Sequence, residues 1–287
     1  YDQYPFDPKE YDYWMPVDWY NGGMEHTTLH LLYSRFIFKF LWDIKAVPKS
    51  LGPEPYKKRT SHGIVLGEGG IKMSKSKGNV INPDDVRREY GADTLRVYEM
   101  FMGPFEQMIP WDTKGLIGAK RFLEKVWRLS DNIQEQTPKK VKKLLHKTIK
   151  KTSEDIEEMK FNTAVSSLME LVNACQEKGL SQKDFQDFLK ILSPFAPHIA
   201  EELWVGRGLC CNQKWPEFKE ELIEEETFSL VVQVNGKVRD KIEVKKGLSQ
   251  KQAEERALGS GKIKEWTKGK KVKKVIFIPD KLVNIVV

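Results

Sequence analysis

Large apolar residues recur along this chain with three successive spacings. In the first stretch, residues 13–20 (YWMPVDWY) are nearly continuous in bulky side chains and run into Asn21-Gly22-Gly23, which predicts a short buried strand closed by a turn. Leu29, Leu32, Phe36 and Phe40 then recur at helical spacing and predict a helix over residues 25–41. Residues 62–66 (HGIVL) predict a second short strand, followed by a loop broken by Gly67, Gly69, Gly70 and Gly78. Asn82-Pro83-Asp84-Asp85 is a helix start: a capping side chain, proline in the first turn, then acids near the positive end of the dipole. That helix is expected to stop at Gly91. Strand, glycine turn and helix in this order suggest part of an α/β fold over residues 1–110, too short for a complete doubly wound sheet.

From residue 111 to 225 the spacing is helical. Ile156, Met159, Val165, Leu168, Met169 and Val172 trace one stripe, and Phe185, Phe188, Leu189 and Leu192 trace another behind Ser181 as N-cap. Pro194 and Pro197 interrupt the segment after that second stripe. An antiparallel helix bundle is the expectation, with Trp127, Trp204 and Trp215 in its core. After Phe228 the pattern alternates: residues 229–234 and 238–244 predict strands around the hairpin signal Asn235-Gly236. Ser249 with Gln252 forms a capping box, and residues 275–278 and 282–287 predict further strands. Residues 226–287 thus read as a small αβ domain, and the whole chain as multidomain, α/β plus all-α.

Charge sharpens this division. The chain of 287 residues carries 48 Lys and Arg against 41 Asp and Glu, but residues 226–287 alone hold 15 against 7. The small C-terminal segment therefore carries the whole basic excess, as a polyanion-binding appendage would, although a solvated surface gives the same count. Residues 139–151 hold seven lysines and form either a solvated connector or an RNA-facing edge. No run reaches the roughly 18 apolar residues of a membrane span, and the acidic, aromatic start is no secretory signal. The missing initiator Met suggests a trimmed product or fragment. Cys175, Cys210 and Cys211 form neither a disulfide framework nor a four-ligand zinc site, which points to a reducing compartment.

The chemistry concentrates in Lys72-Met73-Ser74-Lys75-Ser76-Lys77-Gly78-Asn79. Two lysines three apart straddle hydroxyls in a glycine-loosened loop, which can fold over a triphosphate. Attack on an α-phosphate expels pyrophosphate, and a protein helps there by positioning and by electrostatic stabilisation. A basic solvent loop is the plain alternative for a lone pair of lysines.

Residues 72–76 match the KMSKS signature of class I aminoacyl-tRNA synthetases without a mismatch. The continuations Gly78-Asn79-Val80-Ile81-Asn82-Pro83 and Tyr90-Gly91-Ala92-Asp93-Thr94-Leu95-Arg96 resemble the methionyl, valyl, isoleucyl and leucyl branch. Trp14-Met15-Pro16-Val17-Asp18, Gly22-Gly23-Met24-Glu25-His26 and His30-Leu31-Leu32-Tyr33 resemble the bacterial type of leucyl-tRNA synthetase. Lys160-Phe161-Asn162-Thr163-Ala164 and residues 194–204 (PFAPHIAEELW) are similar to its helical anticodon-binding domain, and residues 232–239 (VQVNGKVR) to its C-terminal domain. The His-x-Gly-His signature, the editing domain and any zinc module have no counterpart here. The resemblance therefore implies the C-terminal part of such an enzyme, either a cut fragment or the smaller, beta subunit of a split heterodimeric form.

It further implies a partial Rossmann-type catalytic region with a KMSKS loop over 1–110, an anticodon-binding bundle over 111–225 and a tRNA-binding domain over 226–287. The implied activity is cytoplasmic, ATP-dependent attachment of leucine to leucine tRNA, with ATP as its Mg2+ complex, no zinc in this chain and no membrane. The implied partner is a larger subunit carrying the HIGH motif and the editing domain, docking on the flank around residues 1–20. Lys75 and Lys72 are the implied catalytic and ATP-binding residues. Ser74 and Ser76 either donate to phosphate or shape the loop. Gly22 and Gly23 allow close approach of ribose or adenine; Glu25 accepts from ribose hydroxyls or serves a helix start; Ile64 and Val65 present backbone to the adenine edge or lie in an ordinary buried strand. His26 and His30, four apart on one expected helix face, are core histidines, metal ligands lacking a third partner, or, as the resemblance implies, neighbours of the leucine side chain. Lys237, Arg239, Lys241, Lys268, Lys270, Lys271, Lys273 and Lys274 are the expected phosphate contacts. The rival readings are a non-catalytic RNA-binding module and a sister synthetase for methionine, valine or isoleucine.

Overall fold

Asp7 opens the first helix, α1 (Pro8–Trp14): its carboxylate accepts from the Lys9 N–H, and Pro8 fills the first helical position. The computed structural model describes residues 6–223, 227–245, 247–279 and 281–287, so the boundary expected at 225/226 and the first five residues lie outside it. Helix α1 overturns the buried strand expected over residues 13–20. Met15, preceding Pro16, is extended, as a residue before proline is biased to be, and ends the helix. Tyr13 and Trp14 are exposed, and the strand β1 begins only at Tyr20 (Tyr20–Gly23).

Helix α2 (His30–Asp43) starts five residues later than expected. Residues Met24–Thr27 form a separate 3-10 turn, and the Thr28 hydroxyl bonds back to the Glu25 carbonyl, competing with helix propagation. Strand β2 (Arg59–His62) pairs in parallel with β1, from Tyr20 opposite Arg59 to Gly23 opposite His62. The single strand expected over 62–66 is interrupted after His62. The Gly63 N–H donates to the Phe105 carbonyl at 2.8 Å, and a Cβ at Gly63 would lie 1.7 Å from the Gln107 carbonyl oxygen. The chain re-forms as β3 (Val65–Leu66), in a different sheet from β2.

Helix α3 (Pro83–Tyr90) is capped by Asn82, whose side chain accepts from the Asp84 N–H, and ends at Gly91, φ 95°, as expected. Helix α4 (Ala92–Phe101) comes next, then β4 (Ile109–Pro110), which pairs in parallel with β3. Both parallel pairs have only two strands among the described residues.

The bundle comprises α5 (Thr113–Leu129), β5 (Ile133–Gln134), α6 (Lys139–Glu157), α7 (Phe161–Lys178), β6 (Leu180–Ser181), α8 (Gln182–Leu192) and α9 (Pro197–Glu202). Helix α5 buries Leu116, Ala119, Phe122, Leu123, Val126 and Leu129, a stripe at 3–4-residue spacing. Each large apolar side chain contributes about 1.5–3 kcal/mol on full burial. One hydrophobic core runs from Val86 in α3 to Cys210, so the helices after the glycine loop share the bundle's interior. The stripe expected through residues 156–172 is broken at Met159, φ 59°, between α6 and α7. Trp127 and Trp215 are exposed rather than core, and the Trp215 indole N–H donates to Ser153 Oγ at 2.8 Å. The lysine-rich run 139–151 is a face of α6, whose other face buries Val141, Leu145 and Ile149.

The chain divides into two compact units, Tyr1–Phe218 and Lys219–Val287. The second contains α10 (Glu220–Ile223), β7 (Thr227–Val234), β8 (Lys237–Lys245), α11 (Gln250–Gly259), α12 (Gly261–Thr267), β9 (Lys274–Ile278) and β10 (Leu282–Val286). Its sheet order is β8-β7-β10-β9, with β7 and β10 parallel. Asn235 (φ 49°) and Gly236 (φ 77°) make the expected hairpin turn, and Ser249 and Gln252 form the expected capping box. Leu230, Val232, Val283 and Ile285 bury against Ala253, Ala257 and Ile263 of the two helices.

Candidate functional site

The loop after β3 is built from short-range backbone bonds. The Gly67 N–H donates to the Ile71 carbonyl at 2.8 Å, and Gly69 and Gly70, with φ of 76° and 77°, turn the chain between them. Asn79 then ties the loop's two arms: its Oδ1 accepts from the Ser74 N–H at 2.9 Å, and its amide donates to the Lys72 carbonyl at 3.3 Å. The Ser74 and Ser76 hydroxyls lie 3.2 Å apart. A 3-10 turn at Lys75–Lys77 ends on left-handed Gly78. Met73 packs on the main core while Lys72, Lys75 and Lys77 are exposed. Among the described residues no acidic side chain pairs with any of the three. The result is an anchored loop presenting three unneutralised ammonium groups. Asn79 stands within the sequence motif, but its role as the tie is visible only in the fold.

The second group lies at the end of β1. His26, in the 3-10 turn, and His30, opening α2, do not share one helix, yet their rings meet edge to face with centroids 6.4 Å apart. His30 is exposed, which removes it from the core reading; the buried His26 Nδ1 has no hydrogen-bond partner among the described residues. The Tyr20 hydroxyl lies 3.0 Å from His30 Nδ1, and the two rings stack. Tyr20 also packs on Tyr56, whose hydroxyl donates to Ser34 Oγ at 2.8 Å. Sequence reasoning misses Tyr20, which it places in a buried strand. At Gly23 a Cβ would lie 2.4 Å from a Glu25 carboxylate oxygen, so Glu25 folds back over the strand end; at Gly22 the nearest atoms are at ordinary contact distance.

Strand β3 offers a half-open edge. The Ile64 and Leu66 carbonyls accept from Ile109 and Trp111 N–H groups at 3.2 and 2.8 Å. Backbone direction alternates along a strand, so Val65 directs its N–H and C=O to the edge away from β4. A cavity of about 230 Å³ borders these residues, lined among others by Ile64, Val65, Glu99 and Phe161. Burial raises the Glu99 carboxyl above its usual range, opposed by nearby Arg96.

Two separate sequence motifs meet where α4 packs on α9. Asp93 on α4 is buried and takes the α9 start: its carboxylate lies 2.7 Å from His198 Nδ1 and accepts from the Ile199 N–H at 2.8 Å. Arg96 donates to the Pro194 carbonyl at 2.8 Å. In the second unit the expected phosphate contacts spread over two edges. Lys237, Arg239 and Lys241 lie on edge strand β8. Lys274 begins β9, the opposite edge, and Lys268, Lys270, Lys271 and Lys273 lie in the segment leading to it. Charged edge strands also discourage strand addition, so the lysines have a structural use there.

The family described as tRNA synthetases class I (I, L, M and V) matches residues 3–112, and that described as anticodon-binding domain of tRNA ligase matches residues 139–255. A curated relative, leucine–tRNA ligase of Alkaliphilus oremlandii (strain OhILAs), is 48% identical over 283 residues, which are 96% of this chain and 35% of the relative. The ternary complex of Agrobacterium radiobacter K84 agnB2 LeuRS with tRNA and LeuAMS superimposes with a TM-score of 0.77 at 31% identity, over 94% of this chain and 38% of that one. Mycobacterium tuberculosis methionyl-tRNA synthetase shares the fold of a part, with a TM-score of 0.51 at 14% identity over 66% of this chain and 44% of that one. Residues 3–112 thus match the class I tRNA synthetases and residues 139–255 their anticodon-binding domain, and the chain is a homologue of leucine–tRNA ligase that spans about a third of that relative's length.

Proposed function

We propose that this chain supplies the KMSKS half of a leucine–tRNA ligase site and its tRNA-binding parts. A larger cytoplasmic partner would bring the His-x-Gly-His half and the editing domain. The observation that carries this reading is the anchored loop of residues 72–78, whose three lysines have no acidic partner among the described residues, set beside parallel strand pairs that are two strands wide among those residues. In the proposed reaction the leucine carboxylate attacks the α-phosphorus of ATP, bound as its Mg2+ complex. The ammonium groups of Lys75 and Lys72 neutralise the charge that builds on departing pyrophosphate. Ser74 and Ser76 shape the loop and lend hydroxyl donors. His26 and His30, with Gly22, Gly23 and Glu25, border the leucyl adenylate, and Val65 offers backbone to the adenine edge while the Ile64 carbonyl stays in the β3–β4 ladder. The leucyl group then passes to a terminal ribose hydroxyl of leucine tRNA, and AMP leaves.

The apolar face of α2 supports the partner. Helix α2 buries none of its residues, and Leu32, Tyr33, Phe36, Ile37 and Phe40 stay more than half exposed, Phe36 at 69%. Such a face is covered in a stable enzyme. Leucine-dependent pyrophosphate exchange tests the reading. Exchange should need both this chain and the chain bearing His-x-Gly-His. Exchange by this chain alone, or full exchange by the pair with Lys75→Ala, would contradict it.

A further inference from the structure

Strand β8 carries an irregularity that re-aims one side chain. Val232 on β7 pairs with Asp240 and Gln233 with Val238, so Arg239 is the extra residue of a β-bulge on an edge strand. Bulges bend the strand and redirect side chains, and they collect at sheet edges beside functional sites. Here the guanidinium is turned onto α12, with Arg239 Cζ 3.5 Å from the centre of the Trp266 ring. The neighbouring carboxylate does not neutralise it. Asp240 is engaged by the Ser260 hydroxyl, the Lys241 N–H and, at 3.6 Å, the Lys262 ammonium. Those contacts fasten the bulge to the start of α12, whose Ile263 is fully buried. The arginine–tryptophan stack is therefore held from both sides. Trp266 remains 44% exposed, and Arg239 Nε has no hydrogen-bond partner among the described residues. Lys264, Lys268 and Lys270 stand nearby in the chain, and among the described residues none of them has an acidic partner.

We propose that Arg239 and Trp266 form a stacking platform for an unstacked nucleobase of tRNA. Unpaired or terminal bases stack on aromatic rings and arginine planes, and the surrounding lysines hold the phosphates on either side. A strongly basic surface suits a polyanion, and a planar stack within it suits the one polyanion that also carries planar rings. This rests on the reading that residues 219–287 contact tRNA, and it adds a base-contacting element to the phosphate contacts expected from charge alone.

The test is equilibrium binding of a leucine tRNA transcript to the full chain, at salt between about 50 and 200 mM. Trp266→Leu keeps an apolar side chain on α12 but cannot stack, and should weaken binding by roughly tenfold. Trp266→Phe should restore most of that loss, and Arg239→Lys, which keeps the charge without the plane, should weaken binding several-fold. The logarithmic salt dependence should stay unchanged in all three, whereas Lys268→Ala with Lys270→Ala should make it shallower. If Trp266→Leu binds like the parent while the lysine pair weakens binding, the platform is refuted and the charge reading stands. If neither change matters, both fail. Thermal melting of each variant accompanies the binding, and Arg239→Lys keeps the platform testable if the tryptophan variants melt early.

Discussion

Helix α2 and helix α7 each carry nine apolar residues, yet they differ in what they bury. Over its 18 residues α7 buries Ala164, Val165, Leu168, Leu171, Val172 and Cys175, while the 14 residues of α2 bury none. Both have the periodicity of an amphipathic helix. Periodicity states which face wants covering; it does not state whether the cover belongs to the same chain. In the bundle it does, through α4, α5 and α6. Around α2 the described residues bury none of its side chains, in a chain that spans 35% of its relative's length.

The difference is open to direct attack. The largest expected effect is on chemistry: Lys75→Ala should lower pyrophosphate exchange of the assembled pair by roughly 100–1,000-fold while the isolated chain melts as before. Next, Leu168→Ala in the fully buried seam of α7 should cost about 2–5 kcal/mol, read as a fall in Tm of the isolated chain. Phe36→Ala on α2 should change that Tm by no more than about 0.5 kcal/mol equivalent, yet weaken association with the partner by tenfold or more, as loss of a buried aromatic anchor does. An equal stability loss in the two variants would erase the contrast.

Acid should loosen α2. Hydrogen bonds and charge from Arg35 and Lys39 hold the Glu54 carboxyl at about 2, below its ordinary 4.5, tying the helix to the following loop. A lowered carboxylate stabilises the fold above its unfolded value, and that contribution is lost as pH falls from 4.5 toward 2. The group is half exposed, so the loss should be modest: faster amide exchange in α2 across that window, abolished by Glu54→Gln. The smallest effect concerns thiols. Burial pushes Cys175 up to about 12 and Cys210 to about 11, so alkylation of the folded chain should reach Cys211 alone.

Much of the architecture is legible in local signals. Asn82 and Ser181 cap the helices they announce, Asn235-Gly236 turns the hairpin, and Ser249 with Gln252 closes its capping box. These motifs act over a few residues, so they survive whatever surrounds them. The departures cluster in the region of α1 and α2, where bulky side chains stand exposed although apolar runs are usually buried. The Asp7-Pro8 start of α1 is itself a local signal, masked by the aromatic run behind it. The loop's chemistry is readable from Lys72, Ser74 and Lys75, but the Asn79 tie needs geometry. The Asp93–His198 contact joins residues 105 apart, and no spacing rule reaches that far.

Amide hydrogen exchange over His30–Asp43, taken with and without the proposed partner chain bearing His-x-Gly-His, tests the proposed half-site most directly. The expected result is weak protection of α2 alone, strong protection in the pair, and no change across α7. Protection of α2 in the isolated chain equal to that of α7, unaltered by the partner, would contradict it.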